Sequence, residues 1–309
     1  HHLLMLGPPG SGKTMLARRM TGLLPDLDVD AALQVAAVRS LAGALDPQEA
    51  LPASPPFVAP HHSVSSAALV GGGSGLARPG AVSLAHRGVL FLDEIYEFGP
   101  HVLEMLRTPL EEGEVRLART DGVVRYPARF QLVMAANPCP CAPPRQTDCT
   151  CSSLEKRRYT HRLSGPMLDR VDLRVSLQAV EALSWAGGPT EDLEPATEDT
   201  ATVRTRVLAA RAAARERWRD AGWRTNAEVP GPELRRRGRL PRDATAILES
   251  QLRTGTMTAR GADRALRVAW TLADLRGAPG PERCDIAEAV EFKGFTEAGD
   301  GPAHDEDVA

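Results

Sequence analysis

The sequence predicts an α/β fold: a parallel phosphate-loop sheet core followed by a small all-helical unit. Three observations carry that prediction. Gly7–Thr14 reads GPPGSGKT and meets every set position of G-x-x-x-x-G-K-[ST]. Short apolar runs alternate with helical or loop segments as far as residue 178, the pattern of a parallel sheet. Beyond residue 200 the hydrophobic spacing becomes helical.

Leu3–Leu6 is the first predicted strand and Met15–Met20 the first predicted helix, so the glycine loop lies between strand and helix, as its motif requires. Its glycines let successive backbone N–H groups curl around phosphates, and the helix N-terminus adds the positive end of its dipole. Gly7, Pro8, Pro9, Gly10, Ser11, Gly12, Lys13, Thr14 and Met15 form the predicted stretch that contacts a nucleoside triphosphate. Lys13 is expected to reach the β- and γ-phosphates, and Thr14 to ligate Mg²⁺. The Pro/Ala/Gly-rich stretch 52–80 then interrupts the fold pattern.

Val89–Leu92 (VLFL) predicts a buried central strand ending on Asp93-Glu94. Carboxylates at the carboxyl end of a parallel strand face the ligand crevice. Asp93 is the expected Mg²⁺ ligand and Glu94 the group that polarises the attacking water. Metal binding needs only the aspartate, so the adjacent glutamate argues for hydrolysis. Leu132–Ala135 predicts another strand leading to Asn137, a group for the water or the γ-phosphate; Asn-Pro is also a common turn former. Val171–Leu177 predicts a fourth strand. Arg170, just before it, reads either as a cation for a neighbouring subunit's γ-phosphate or as a salt-bridge partner of Asp169 or Asp172.

The core is predicted over residues 1–178 and a polar, acidic linker over 179–199. Val203, Val207, Ala210, Ala214 and Trp218 share one helical face, as do Ala262, Leu266, Ala269 and Ala273, which predicts a helical lid over 200–294. The acidic tail 295–309 is predicted to be disordered. At 309 residues, 42% hydrophobic and 25% charged, the chain has the composition of a globular protein with a sizeable core. No apolar run approaches the ~20 residues of a membrane span. A net charge of −3 restricts nucleic-acid contact to local patches. Five cysteines in a chain this long do not predict a secreted disulfide scaffold, and a cytoplasmic protein is expected. The glycine loop begins at Gly7, which raises the expectation of a further domain ahead of it.

Taken in order, these motifs resemble the AAA+ ATPases related to the magnesium-chelatase motor subunit, in the YifB/ComM-like branch. The resemblance is carried by APHHS (59–63), RPGAVSLAHRGVLFLDE (78–94), PARFQLVMAANPCPC (127–141), LSGPMLDRVDL (163–173) and TARGADRALRVAWTLADL (258–275). It implies that Asn137 is the first sensor, Arg170 the arginine finger and Arg260 the second sensor, swinging from the lid onto the nucleotide, with Arg264 as fallback. It also implies a ring, a hexamer, in which the finger is supplied in trans. Three positions depart from the branch pattern: Tyr96 replaces a proline, Ala142 a glycine and Trp270 an arginine. The branch implies an N-terminal domain of Lon protease type, which is expected to lie outside this sequence.

Cys139, Cys141, Cys149 and Cys151 form C-x-C-x₇-C-x-C, which reads either as a tetrahedral structural Zn²⁺ site or as four free thiols in an irregular loop. Cys284 reads as a packing residue of the lid. Glu114–Arg119 and Val123–Tyr126 flank Thr120-Asp121-Gly122 as a β-hairpin. Its Arg116, Arg119 and Arg125 either face a pore and a phosphate backbone or are solvated. The glycine-rich segment 71–75 reads as a second pore insertion, and His61-His62 as loop caps or substrate contacts. Arg235, Arg236, Arg237 and Arg239 form a basic cluster for nucleic acid, a neighbouring subunit or solvent. The expected activity is Mg²⁺-dependent ATP hydrolysis driving a DNA motor. A metal-chelatase motor acting through a partner subunit, and a nucleotide-dependent scaffold, are the alternatives.

Overall fold

The computed structural model describes residues 1–45, 51–73, 77–119, 122–144, 146–178, 198–237, 240 and 242–294. Most of the predicted linker and the whole predicted tail lie outside these residues. Strands β1 (Leu3–Leu6), β2 (Phe57–Val58), β5 (Val89–Leu92), β8 (Gln131–Ala136) and β9 (Leu173–Ser176) form one sheet in the order β2-β5-β8-β1-β9. Every pairing in it is parallel. Two small antiparallel pairs stand apart: β3 (Gly71–Gly72) with β4 (Arg78–Pro79), and β6 (Glu114–Arg119) with β7 (Gly122–Pro127).

The central strands are apolar on both faces because both faces are covered. Leu4, Leu90, Leu92, Leu132 and Met134 join one buried cluster. Met5, Val89, Phe91, Val133 and Ala135 join another, with Ala17 of α1 (Lys13–Leu23). The register sets Leu6 opposite Ala136, and Leu92 opposite Met134. The loops leaving β1, β5 and β8 therefore emerge at the same edge.

Two strand readings are corrected. The edge strand β2 lies within the stretch read as an interruption. Two residues flanked by prolines show no alternation to read. β9 begins at Leu173 and not at Val171, because the Val171 amide donates to the Leu168 carbonyl and closes α8 (Gly165–Asp169). The remaining core helices are α2 (Val29–Ala42), α3 (Ser66–Val70), α4 (Ala81–Leu84), α5 (Pro100–Glu104), α6 (Arg107–Glu112), α7 (Ser153–Thr160) and α8, and residues of α3, α4, α5, α7 and α8 join the buried cluster of Leu4 and Leu90.

The C-terminal part is helical: α9 (Thr200–Trp218), α10 (Gly231–Arg237), α11 (Arg242–Arg253), α12 (Ala259–Leu275) and α13 (Arg283–Gly294). Its core contains Trp218, Leu234, Leu248, Leu266 and Ile286. Trp270, where the branch pattern has an arginine, is a core residue that packs edge-on against Trp218 at 5.9 Å under the Arg217 guanidinium. Asp274, buried beneath, accepts from Arg217 and from Asn226 Nδ2 at 2.8 Å. Tyr96, in place of a proline, is buried edge-on to Tyr159 at 4.7 Å. Cys284 is exposed, which corrects its reading as a packing residue: it lies one position into α13, on the solvent side.

Helices and sheet are tied through buried polar groups. Arg264 Nη1 donates to Asp172 Oδ1 at 2.7 Å and to the Arg170 carbonyl at 2.9 Å. Lys293 Nζ donates to the carbonyls of Asp169 and Val171 at 2.7 and 2.8 Å. Burial pushes the Lys293 ammonium down to about 8 against the pull of Asp169. No helix among the described residues is long and apolar enough to cross a membrane.

His86 anchors the turn into β5. The Arg129 amide donates to Nδ1 at 3.0 Å, which leaves the proton on Nε2 for Gln34 Oε1 at 2.9 Å. Burial, and then Arg87 and Arg129, push its pKa down to about 4. The unfolded chain, with an ordinary histidine near about 6.5, binds more protons between these values, so protonation favours unfolding there. Urea midpoints should fall as pH is lowered from about 6.5 towards 4, and the fall should be smaller in His86→Gln.

Candidate nucleotide-binding site

The glycine loop is shaped by close approach and by left-handed backbone. A Cβ on Gly7 would lie 2.6 Å from the Leu177 carbonyl oxygen. Gly10 and Gly12 have φ of 78° and 82°, where only glycine is unstrained. A Cβ on Gly10 would meet nothing within 4 Å among the described residues. Helix α1 starts at Lys13 with neither a side-chain cap nor an acidic residue in its first turn. Its leading N–H groups therefore meet no capping side chain and no acid from their own first turn, the condition that suits phosphate. Met15, in that first turn, turns its side chain half into solvent.

Lys13 is buried, and its Nζ donates to the carbonyls of Gly7 and Pro8 at 2.7 and 2.8 Å. Ser11 Oγ and Asn137 Oδ1 each lie 3.3 Å away. Its named acceptors are all neutral. Burial lowers its pKa, and Asp93 and Glu94 oppose that shift. Thr14 Oγ1 donates to Asp93 Oδ2 at 2.7 Å, while Asp93 Oδ1 accepts from the Glu94 amide at 3.0 Å. A hydroxyl and a carboxylate at this spacing form a hard-oxygen pair suited to Mg²⁺. Glu94 has φ of 52°, a left-handed conformation that costs a non-glycine residue about 1 kcal/mol. Such strain concentrates at functional positions. Lys13, Thr14, Asp93, Glu94 and Asn137 thus come together from three loops.

His62 Nδ1 lies 3.4 Å from Glu94 Oε2. This neighbour was not legible without β2, whose Val58 sits opposite Leu90 and carries the following loop toward the acids. His61 stacks on His62 at 4.0 Å and bonds Ser63 Oγ at 2.8 Å, so it serves the loop itself.

Arg170 and Arg260 do not join this cluster. Arg170 precedes β9, whose first residue Leu173 is level with Leu3, while the glycine loop follows Leu6. The length of β1, roughly 10 Å at 3.3 Å per residue, separates them. The salt-bridge reading of Arg170 is corrected in its partner. Its guanidinium bonds Glu111, because Asp172 is taken by Arg264. Arg260 is half exposed beside the same Glu111, at 3.4 Å. The fallback Arg264, largely covered, is engaged with Asp172 at 2.7 Å.

Cys139, Cys141, Cys149 and Cys151 converge, with all four Sγ atoms within 4.8 Å of one another. Three of their separations are 3.4, 3.5 and 3.6 Å. Burial pushes Cys139 up to about 12, while a hydrogen bond from Cys151 holds Cys141 down to about 6. Ala142, where the branch has glycine, has φ of 45°, the backbone that glycine suits. In the hairpin, Arg116 pairs with Glu112 and Glu114, and Arg125 approaches Glu114. Arg119 donates to the Gly73 carbonyl at 2.7 Å and ties the hairpin to the glycine-rich segment. Thr120 and Asp121 of the hairpin and residues 74 and 75 of that segment lie outside the described residues. In the basic cluster, Arg235 pairs with Asp263 and Arg236 with Glu233; the Arg237 side chain and Arg239 lie outside the described residues.

A family model described as magnesium chelatase, subunit ChlI, matches residues 1–184, and one for that subunit's C-terminal region matches residues 197–293. An uncharacterized protein of Mycobacterium tuberculosis is 57% identical over 95% of this chain and 57% of its own length. YifB of Escherichia coli is 42% identical over 95% of this chain and 56% of its own. Competence protein ComM of Haemophilus influenzae is 41% identical over 95% of this chain and 55% of its own. The chain therefore spans a little over half the length of these relatives. Ala142→Gly should relieve left-handed strain and raise stability by about 1 kcal/mol in urea unfolding.

Proposed function

Since the chain belongs to the magnesium-chelatase ChlI family, which it shares with YifB and ComM, we propose that it is a Mg²⁺-dependent ATPase working as a cytoplasmic ring motor on DNA. The convergence of Lys13, Thr14, Asp93, Glu94 and Asn137 at one sheet edge carries this reading. The glycine loop and the uncapped start of α1 offer N–H donors to the phosphates. Lys13 exchanges neutral acceptors for charged phosphate oxygens, which are stronger partners. Thr14 and Asp93 hold Mg²⁺, which when bound offsets charge on the phosphates. Glu94 polarises the attacking water, and Asn137 orients it against the γ-phosphate.

Arg170 and Arg260 sit at the opposite strand edge from their own loop, so both are assigned to the site of a neighbouring subunit. An arginine supplied in trans requires a ring, and we take it as a hexamer. This revises the role expected for Arg260, which faces a neighbour's nucleotide and not its own. The hairpin and the glycine-rich segment, joined by Arg119, are assigned to the pore. The relative named as a competence protein supports DNA as substrate. The family description supports a second reading, a chelatase motor acting through partner subunits. The four-thiol knot is assigned a structural Zn²⁺, since tetrahedral thiolates about 2.3 Å from the metal stand near the observed sulfur separations.

ATP turnover, measured with and without branched DNA, should rise with DNA; a rate indifferent to DNA would favour the chelatase reading. Glu94→Gln should cut kcat by about 100-fold or more and leave ATP binding intact, and full turnover would refute the mechanism. Metal analysis should find one zinc per chain, lost in Cys149→Ser.

A further inference from the structure

The two arginines assigned to a neighbour share one carboxylate of their own chain, Glu111, and Arg260 also lies 4.0 Å from Asp169. Arg170 Nη2 donates to Glu111 Oε1, and its Nη1 donates to the Pro166 carbonyl at 2.6 Å. Arg260 Nη1 lies 3.4 Å from the same Glu111 oxygen. Arg170 is only 3% exposed, and its buried Nε has no partner among the described residues. A guanidinium so placed cannot touch another chain's phosphate until it leaves Glu111. The Glu111 side chain is itself 44% exposed, so the exchange can take place at a wet edge.

Glu111 stands in the last turn of α6, and Gly113 alone separates that helix from β6. The next residue, Glu112, pairs with Arg116 of the hairpin at 2.7 Å. Adjacent carboxylates on one short helix thus hold the arginine pair and the hairpin. A triphosphate carries more charge than one carboxylate and offers bidentate acceptors, so it outcompetes Glu111 for both guanidiniums.

We propose that Glu111 is the exchangeable counter-ion of Arg170 and Arg260: a neighbouring subunit's triphosphate displaces it, and the freed α6 moves the β6–β7 hairpin. Glu111 is a positioning residue in this scheme and touches no reacting atom. The proposal rests on the ring reading above. It gives nucleotide occupancy in one subunit a physical route to the hairpin of the next. By linkage, a ligand that favours the moved hairpin also favours nucleotide in the neighbouring site.

The test is hydrogen exchange of hairpin amides 114–127 in the assembled protein, with and without Mg²⁺ and a non-hydrolysable ATP analogue. In the native protein the analogue should change hairpin exchange several-fold. Glu111→Gln should show the nucleotide-bound level with or without analogue, and Glu111→Asp should restore the response. Glu112→Gln, which leaves the buried arginine paired, should lose the hairpin response while turnover persists; it serves even if Glu111→Gln fails to fold. A native response in Glu111→Gln, or in Glu112→Gln, overturns the proposal. The ring reading is tested separately by mixing Arg170→Ala with Glu94→Gln subunits. Recovered turnover in the mixture supports trans action, and its absence overturns the ring reading itself.

Discussion

The parallel pairing of β1, β5 and β8 is the constraint on which the rest of the site depends. These strands are buried on both faces, so a one-residue slip would carry each side chain into the opposite core. The register is therefore firmly specified, and it brings the ends of the strands to one edge. The residues that follow them are polar and converge there without any separate device. The hydrogen bond between Thr14 and Asp93 joins residues far apart in sequence because their strands end together.

The opposite edge of the same sheet carries a second cluster of charged groups. Arg170 and Asp172 precede β9 at the end where Leu3 begins β1, away from the glycine loop. The helical part docks on that edge through the half-buried Arg264 and the buried Lys293, which donate to core carbonyls and to Asp172. Arg260 is carried to Arg170 by this docking. One sheet thus places Lys13, Thr14, Asp93 and Asn137 at one strand edge and Arg170 at the other. Helix α6 lies between the arginines and the hairpin and touches both through neighbouring carboxylates.

Much of this was legible in the chain. GPPGSGKT and VLFLDE are local patterns whose geometry follows from glycine backbone freedom and strand alternation. The hairpin likewise announced itself by two β-prone runs around Asp-Gly. β2 was not legible, because two residues between prolines carry no periodicity, and with it went the placement of His62 beside Glu94. Glu111 gave no signal either, since an acid near a helix end is ordinary and its importance comes from what docks on it. Ala142 shows the converse: the departure from glycine was visible, but only the backbone angle gave it a physical meaning.

The sequence by itself determined the chemistry on offer: a phosphate loop, an acidic pair after a buried strand, four clustered thiols and two arginines in family context. These depend on short-range pattern, and short-range pattern is set by residues that are neighbours in the chain. Only the tertiary structure decided which groups share a site. Burial of Asp172 with Arg264 left Arg170 to Glu111, and strand register set both arginines apart from their own loop. That partition follows from the competition of buried charges for the nearest partner, which sequence order does not record.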